Sequence, residues 1–511
     1  MKFSNSLVLV LLLALQIVWP ATARAAVGTV TVTNATDSNS TTLCTLRDAI
    51  RLIDGITPIG SCTLSGMQSP PEIHFSMTLP ATITLTSPLV PTSSMNIVGP
   101  GQTQLTLSGN DTVRVFGDLT TGGNTLSISN LSIAHGKAPS GFAGGGISFC
   151  CGQVVVLDSV NLHDNQSDFA GGAIDAVSDL TLTNSIVENN RAVNLSDYFL
   201  SFGGGIYAES GNITIDHSII RGNTVGATSS GSDPGMGGGI LVNGSTTVVM
   251  TDSTVSGNHA LGFALRSGFN PDGSGLGGQG GGVFVDGGTW ISRGNTISGN
   301  NATFEGGGVF NIGAADIINS TIAQNTVPAA SSPSRGAGIY DAAANGFGSG
   351  VVLYLSNATV YANSAGSGGG LYNAHAAPAD VVIANSAFGN RGSGETGGDI
   401  VNATGAALTG NFDLVENASS AGGLVDGSAG NIVGHAARFG TFASHGGATF
   451  TVGFASASPL FDHGSNALAL DENNKALAHD QRDDPAIPRI MHGTVDIGAL
   501  ETDVIFSDGF Q

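Results

Sequence analysis

The sequence predicts an all-β chain that folds as a right-handed parallel β-helix, a solenoid, with a short capping helix near its N-terminus. Three observations support this fold class: a recurring glycine-rich phrase, short runs of period-two alternation, and asparagines at matching places in successive repeats. Alternation of period two indicates strands rather than helices. A repeat of this kind indicates stacked coils in which each coil contacts only its neighbours.

The glycine-rich phrase consists of two or three small residues, mostly glycine, followed by an aliphatic residue. Its nine copies span eight intervals over 253 residues, a mean of about 32, which exceeds a minimal coil and leaves the excess for loops. We expect the glycines to bend the backbone where a Cβ would collide with a neighbour. The aliphatic residues that end the copies are Ile147, Ile174, Ile206, Ile240, Val283, Val309, Ile339, Leu371 and Ile400.

The segments between these phrases share a second pattern, seen in 184–190, 252–258, 319–325 and 357–363. Each begins with Asn or Asp, has an aliphatic residue three positions later, and ends with Asn after three more. Because Asn adopts left-handed conformations and bonds its own backbone, it suits corners between strands. Stacked coils would place Asn above Asn, so we expect amide side chains to hydrogen-bond along the stack.

The two ends of the chain predict a four-part organisation. Residues 1–25 read as a signal peptide, with Lys2, an apolar run at 7–15 and a small-x-small site at 23–25. We then expect an N-terminal cap over 26–70, the β-helix over 71–435, and a closing, anchor-like module with a tail over 436–511. After signal removal no apolar run is long enough for a transmembrane helix, so the chain is expected to be secreted or held at a bacterial cell surface.

Composition limits the partners of the chain. The formal net charge is −22, from 38 acidic and 16 basic residues, which disfavours nucleic acid and anionic membranes. Calcium on surface carboxylates is the one cofactor left open, and no other cofactor is expected. In an oxidising compartment Cys44 and Cys62 can form a disulfide, whereas Cys150 and Cys151 can form either a vicinal disulfide or two thiols. No metal site is predicted, because cysteine and histidine are not clustered at ligand spacing.

Three resemblances accompany these patterns. Residues 44–50 read C-T-L-R-D-A-I, which resembles the Cys-Ser-Leu-Arg-Glu-Ala segment of exported bacterial β-helix proteins. The repeats over 127–400 resemble those of polymorphic outer membrane proteins. The motifs at 446–449, 458–462, 480–482 and 495–501 resemble, in order, a bacterial choice-of-anchor module. Together these resemblances imply a pectin-lyase-like β-helix exported to the cell surface.

Three long insertions fall on consecutive coils, between the corner asparagine and the next glycine phrase. Such insertions often mark a binding face. Two interpretations stay open: the loops fold over one another and shield a sheet face, or they form a groove with aromatic platforms and carboxylates for extracellular carbohydrate. The candidate ligand-binding residues are Asp197, Tyr198, Phe199, Asp233, Phe269 and Asp272.

Catalytic candidates are few, namely Asp216, His217, Arg221 and Asp252. If Asp216 and His217 lie in one strand, alternation places them on opposite faces, which argues against an acid/base dyad. Asp252 aligns with asparagines of other coils, so a turn-forming role is the simpler interpretation.

The function expected from the sequence is an exported, surface-associated β-helix protein with a binding or structural role, adhesin-like, whose partners are extracellular carbohydrate or cell-surface components. The alternative is a carbohydrate-active enzyme, a polysaccharide lyase or glycosidase, acting on extracellular polysaccharide. The sequence favours the non-enzymatic interpretation, because it contains no complete catalytic motif.

Overall fold

The computed structural model describes residues 27–502 except 39–41, 58–59, 67, 120–121, 194–199, 228–233, 263–276, 332, 343–351, 376–380, 391–396 and 456. The described chain forms a right-handed parallel β-helix, as predicted. Successive coils pair strand on strand in parallel, and an antiparallel ladder joins only the two strands Phe439–Ala443 and Thr451–Phe454 among the named strand pairs. The parallel winding follows from the aligned repeats, because equivalent residues of each coil then stack in columns.

The largest sheet contains two strands from most coils, which meet at a corner. Leu182, Ile215 and Met250 occupy one register position in three successive coils, and all three side chains are buried. The strands of this sheet are Val27–Val32, Gln68–Phe75, Ala81–Thr84, Met95–Val98, Leu105–Ser108, Thr125–Ala134, Val154–His163, Leu180–Thr183, Ile186–Glu188, Asn212–Asp216, Ile219–Arg221, Thr247–Thr251, Thr254–Ser256, Thr289–Arg293, Thr296–Ser298, Ala314–Ile318, Thr321–Ala323, Val352–Ser356, Thr359–Tyr361, Val381–Ala384, Ala387–Gly389, Thr409–Asn411, Leu414–Val415 and Ile432–Val433.

A second sheet is built from the strands that follow the glycine phrases. At the first glycine of a phrase the backbone is left-handed, as at Gly171 (φ 56°), and a Cβ there would collide with the carbonyl oxygen of Ile174. The expected reason for the glycines is thereby confirmed. The strands of this sheet are Phe116–Leu119, Ile147–Cys150, Ile174–Val177, Ile206–Ser210, Ile240–Asn243, Val283–Asp286, Val309–Asn311, Ile339–Asp341, Leu371–Asn373 and Ile400–Asn402.

Shorter strands complete the coils. A third parallel sheet contains Gln166–Ser167, Arg191–Ala192, Thr224–Val225, His259–Ala260 and Asn301–Ala302, and a further parallel pair joins Ser201–Phe202 to Gly235–Met236. Among the described residues the helices are one α-helix, Leu46–Ile53, and three 3₁₀ turns, Ala418–Ser420, Ser428–Gly430 and Asn466–Leu468. No helix in the described part of the chain has the length and apolarity needed to cross a bilayer.

The α-helix packs at the N-terminal end of the solenoid, as predicted. Thr45 caps it by accepting a hydrogen bond from the backbone N–H of Asp48. Leu46, Ala49 and Ile50 are buried in the same apolar cluster as Val30 on the first strand. The disulfide between Cys44 and Cys62 is confirmed (S–S 2.01 Å) and joins the residue before this cap to the loop after the helix. Cys150 and Cys151, left open by the sequence, form a vicinal disulfide.

The predicted asparagine ladder is present and buried. From Asn190 onward, each Asn side chain accepts, at its Oδ1, the backbone N–H (2.8–3.0 Å) and the Nδ2–H (2.9–3.3 Å) of the equivalent Asn one coil earlier. At the start of the ladder, Asn165 Oδ1 accepts the backbone N–H of Gly136 (2.8 Å). These buried amides therefore find their partners inside the solenoid. The ladder consists of Asn165, Asn190, Asn223, Asn258, Asn300, Asn325, Asn363 and Asn390.

The C-terminal part of the chain lies along the side of the β-helix. It contacts successive corners: Asn319 Nδ2 donates to the carbonyl of His479 (2.8 Å), and Arg489 donates to Asn357 Oδ1 (2.7 Å). Asn385 Nδ2 likewise donates to the carbonyl of Ser465 (2.9 Å). The described part of this segment thus follows one edge of several coils, whose corners offer regularly spaced polar groups.

Candidate functional site

The candidate site lies on an outer column of corners between the paired strands of the largest sheet. One residue per coil adopts a left-handed backbone there, with φ between 45° and 67°, which allows a sharp turn that keeps both strands in register. Most of these corners are Asn, but two adjacent coils carry His217 and Asp252 instead. The column comprises Asn130, Ser159, Asn184, His217, Asp252, Gly294, Asn319, Asn357 and Asn385.

Asp216 and His217 contact each other. The strand Asn212–Asp216 ends at Asp216, and the left-handed turn at His217 (φ 46°) brings Nδ1 of the ring to 2.9 Å from Asp216 Oδ2. The alternation argument, which supposed that both residues lie in one strand, does not apply, because His217 is a corner residue. The hydrogen bond with Asp216 raises the pKa of His217, and the charges of Asp252 and Asp483 add to this shift.

Asp252 occupies the corner next to His217 and is crowded by other carboxylates. Its side chain lies over Gly294, where any Cβ would collide with Asp252 Oδ1. Burial raises the pKa of Asp252 to about 6, and the charges of Asp483 and Asp216 act in the same direction while His217 opposes them. Thr251, the preceding residue, donates its hydroxyl to Asp216 Oδ1 and so ties the two coils together.

The C-terminal segment provides the opposite wall of the site. A cleft of about 220 Å³ opens between the corners of Asp252, Gly294 and Asn319 and the segment 477–483. On that segment His479 Nδ1 lies 3.0 Å from Asp483 Oδ1, and the Asp483 side chain is 68% exposed. The cleft therefore brings together acidic and imidazole groups from parts of the chain more than 200 residues apart.

The fourth catalytic candidate, Arg221, does not join the others. It lies in the strand after the corner, and its Nε and Nη2 both donate to Glu188 Oε2, at 2.8 and 2.6 Å. Arg293, which lines the cleft, is held in an ion pair with Glu472. Of the four candidates, the structure brings together Asp216, His217 and Asp252.

The candidate ligand-binding residues Asp197, Tyr198, Phe199, Asp233, Phe269 and Asp272 all lie outside the described residues. Two described residues next to these loops pack against other apolar side chains. Phe202 stacks on Tyr207 (ring centroids 5.9 Å apart), and Met236 is fully buried. Both belong to an apolar cluster on the outer face of the second sheet, separate from the main core.

Two features of the structure were not predicted from the sequence. One is the contribution of His479 and Asp483, for which the sequence offers no local signal. The other is a row of stacked rings on the second sheet, with centroids 4.7–5.4 Å apart, and here a signal existed. The rings directly follow the aliphatic residue of four consecutive glycine phrases and belong to Phe284, Phe310, Tyr340 and Tyr372.

Asp216, His217 and Asp252 could hold a metal ion. One potential ligand atom from each residue lies within 4.8 Å of the other two, and this is the one such group of three found in the part of the chain that is described. A site of carboxylates and imidazole can also move protons. The pKa of Asp252 is raised by burial to about 6, and the pKa of His217 is raised by its hydrogen bond with Asp216.

Comparisons with known proteins find similarity among solved structures only. No family model matches the chain, and no curated protein matches it. Among solved structures, the crystal structure of pectate lyase Pel9A is similar over 86% of this chain and 89% of that chain, with 15% sequence identity and a TM-score of 0.42. A likeness of this degree carries no argument about activity. The chain is thus a parallel β-helix protein whose function has to be argued from its own residues.

Proposed function

We propose that this chain is an exported, surface-associated β-helix protein with a binding or structural role, adhesin-like, and we favour this role over an enzymatic one. Its partners are extracellular carbohydrate or other cell-surface components. The signal-like N-terminus, the net charge of −22 and the anchor-like motifs support export and surface display. A stack of coils supports a binding role because it presents an extended, rigid surface from which loops emerge on consecutive turns.

The observation that carries this proposal is the state of the arginines around the acid/base cluster. A polysaccharide lyase needs a basic group, often Arg or Lys, that can reach the sugar. Arg221 is engaged with Glu188 through two nitrogens, and Arg293 is engaged with Glu472. Neither arginine is therefore free to act on a sugar at the cluster of Asp216, His217 and Asp252, which disfavours a lyase that uses Arg as its base.

A glycan array probed with the purified mature chain, with and without calcium, tests the binding role. We expect saturable binding to one class of extracellular glycan. Calcium is included because carboxylates outnumber cations on this chain and calcium can bridge them to acidic sugars. Absence of binding to every glycan class, in both conditions, would contradict the carbohydrate-binding part of the proposal.

The second candidate function is a carbohydrate-active enzyme acting on extracellular polysaccharide. One observation favours it: the carboxyl of Asp252, with a pKa raised to about 6, faces an open cleft together with Asp480 and Asp483. A carboxyl titrating near neutrality can act as a general acid toward a glycosidic oxygen.

Product assays separate the two functions. Polysaccharides incubated with the chain should release neither unsaturated uronides, read by ultraviolet absorbance, nor reducing ends, if the binding role holds. Turnover that disappears in Asp252→Asn would instead establish the enzyme. The substitution is conservative for the fold because Asn occupies the equivalent corner in other coils, such as those of Asn184 and Asn319.

A further inference from the structure

The corner residues Asp216, His217 and Asp252 combine one imidazole with two carboxylates. Calcium and magnesium prefer oxygen ligands only, whereas imidazole with carboxylate suits zinc and similar divalent transition metals. We propose that these three residues bind a divalent transition metal ion, with zinc as the representative ion. This inference concerns a separate site and holds whether or not the protein binds glycans.

The geometry is close to what such an ion requires. The three ligand atoms lie within 4.8 Å of one another. Ligand atoms bound to zinc at 2.0–2.2 Å in a tetrahedron stand about 3.3 Å apart, so they must approach by at most about 1.5 Å. The His217 side chain is 51% exposed and that of Asp216 36% exposed, so both can rotate by this amount without disturbing the core.

The contacts around the three residues match those of a metal site. Asp216 Oδ2 lies 2.9 Å from His217 Nδ1, close to the ~3.3 Å that separates two ligand atoms on one zinc ion, so the ion would take the place of the proton between them. Thr251 donates to the other oxygen of Asp216 and restricts the rotation of this carboxylate. Each carboxylate oxygen keeps a second lone pair for an ion.

One feature next to the cleft explains the position of Asp252, and a second points to a ligand in the cleft. Gly294 leaves room that a Cβ would fill, and the Asp252 carboxylate occupies it, so glycine at this corner permits the position of Asp252. Asn319, two corners beyond Asp252, lines the cleft and is 7% exposed, and its Oδ1 is buried without a hydrogen-bond partner. Since coils stack about 4.8 Å apart, this oxygen lies on the order of 10 Å along the stack from Asp252, where it can accept a hydrogen bond from a water or ligand in the same cleft.

The charge around the site also favours a cation. Asp483 of the C-terminal segment is near enough to Asp252 and His217 to act on both electrostatically. Three carboxylates around one imidazole leave net negative charge that a divalent ion would neutralise. An ion at this position would also link two coils of the β-helix to the edge covered by the C-terminal segment.

The test is calorimetric titration of the purified mature chain, first stripped with a chelator, with zinc alone and with calcium alone. We expect one saturable zinc site and at least 100-fold weaker binding of calcium, because calcium gains little from imidazole. His217→Asn and Asp252→Asn should each weaken zinc binding at least tenfold. Both place at the corner the residue that Asn184, Asn319 and Asn357 already provide.

The matched control is His74→Asn. His74 Nε2 lies 2.9 Å from Glu72 Oε2, so this pair repeats the His–carboxylate distance of the site without a third ligand. It should leave the zinc affinity within twofold of wild type. Thermal scans without metal check that all three variants are folded, and zinc should raise the melting temperature of wild type and His74→Asn only. The proposal is overturned if no saturable zinc site appears, if calcium binds as tightly as zinc, or if both corner variants bind zinc like wild type.

Discussion

Two polar columns run along this solenoid, and they differ in one respect that decides their chemistry. The inner column is the asparagine ladder from Asn165 to Asn390, whose side chains are 0–3% exposed. The outer column is the row of left-handed corners, which is uncovered at Asn184 and His217 and covered by the C-terminal segment further along. The inner column repeats one residue type, whereas the outer column contains Asn, Ser, His, Asp and Gly.

The difference teaches where a β-helix can acquire function. A buried amide has to satisfy both a donor and an acceptor in the coil on either side, so one residue type is retained. An exposed corner needs only a tolerance of positive φ, and solvent supplies the remaining hydrogen bonds. The outer column can therefore carry residues such as His217 and Asp252.

The largest loss of stability is expected from Asn258→Leu in the inner column. Asn258 Oδ1 accepts two hydrogen bonds from Asn223, and its Nδ2 donates to Asn300 Oδ1 and to the carbonyl of Ile220. Since each buried group left without a partner costs about 1–3 kcal/mol, we expect destabilisation of roughly 3–6 kcal/mol. Chemical denaturation followed by circular dichroism measures it, and a loss below about 1 kcal/mol would show that the ladder is dispensable.

A carboxylate in the interior should make stability depend on pH. Asp413 is fully buried and accepts the backbone N–H of Ser386 at 2.8 Å, and burial raises its pKa well above the usual value. The folded state therefore holds the proton more tightly than the unfolded state, so this contribution is present below about pH 4 and is lost as pH rises through the folded pKa. Asp413→Asn should remove the dependence.

The measurement is the melting temperature of wild type and Asp413→Asn between pH 4 and pH 9. As pH rises, the melting temperature of the variant should increase relative to that of wild type. This increase should be smaller than the decrease caused by Asn258→Leu. The exposed Asp484, substituted by Asn, is the control and should give a curve parallel to wild type. Parallel curves for Asp413→Asn as well would refute the argument.

A gain of stability is expected where alanine interrupts a row of buried serines, the serine column. Serine hydroxyls one residue after the corners accept backbone N–H groups from the preceding coil, as Ser218 does from Ser185 (3.1 Å) and Ser253 from Ser218 (2.9 Å). Ala358 stands at this position between Ser320 and Ser386 and is fully buried. Ala358→Ser would offer its hydroxyl to the Ser320 amide and should stabilise by about 1 kcal/mol.

Ala315→Ser provides the comparison, because Ala315 is equally buried but lies in a strand within the apolar core. It should destabilise the protein by about 1–3 kcal/mol. Denaturant midpoints of both variants decide the matter. If both serines destabilise alike, the serine column does not contribute hydrogen bonds of net value.

The smallest effect is expected at the outer corners themselves. Without metal, His217→Asn and Asp252→Asn should change stability by less than about 0.5 kcal/mol, since exposed ion pairs contribute little and Asn tolerates the left-handed backbone. Denaturant melts in the presence of a chelator measure it. A loss comparable to that of Asn258→Leu would mean that the two columns do not differ in the way described.

Much of the fold could be predicted from the sequence because it depends on local repetition. The glycine phrases, the asparagines of the ladder and the Cys44–Cys62 disulfide all follow from spacing, and each was confirmed. The row of rings from Phe284 to Tyr372 was equally readable, since each ring follows a glycine phrase. The contact between Asp216 and His217 was not predicted, because the alternation argument supposed one strand for both residues and the strand ends at Asp216.

By itself the sequence determined the winding of the chain, since a residue type that recurs at one place in each repeat must stack on its copies in a parallel solenoid. Only the tertiary structure decided which polar groups meet at the candidate site. Asp483 and His479 reach the corners of Asp252 and Asn319 because the C-terminal segment folds back along the β-helix. That path is set by contacts between residues more than 100 positions apart, and no periodic pattern encodes such contacts.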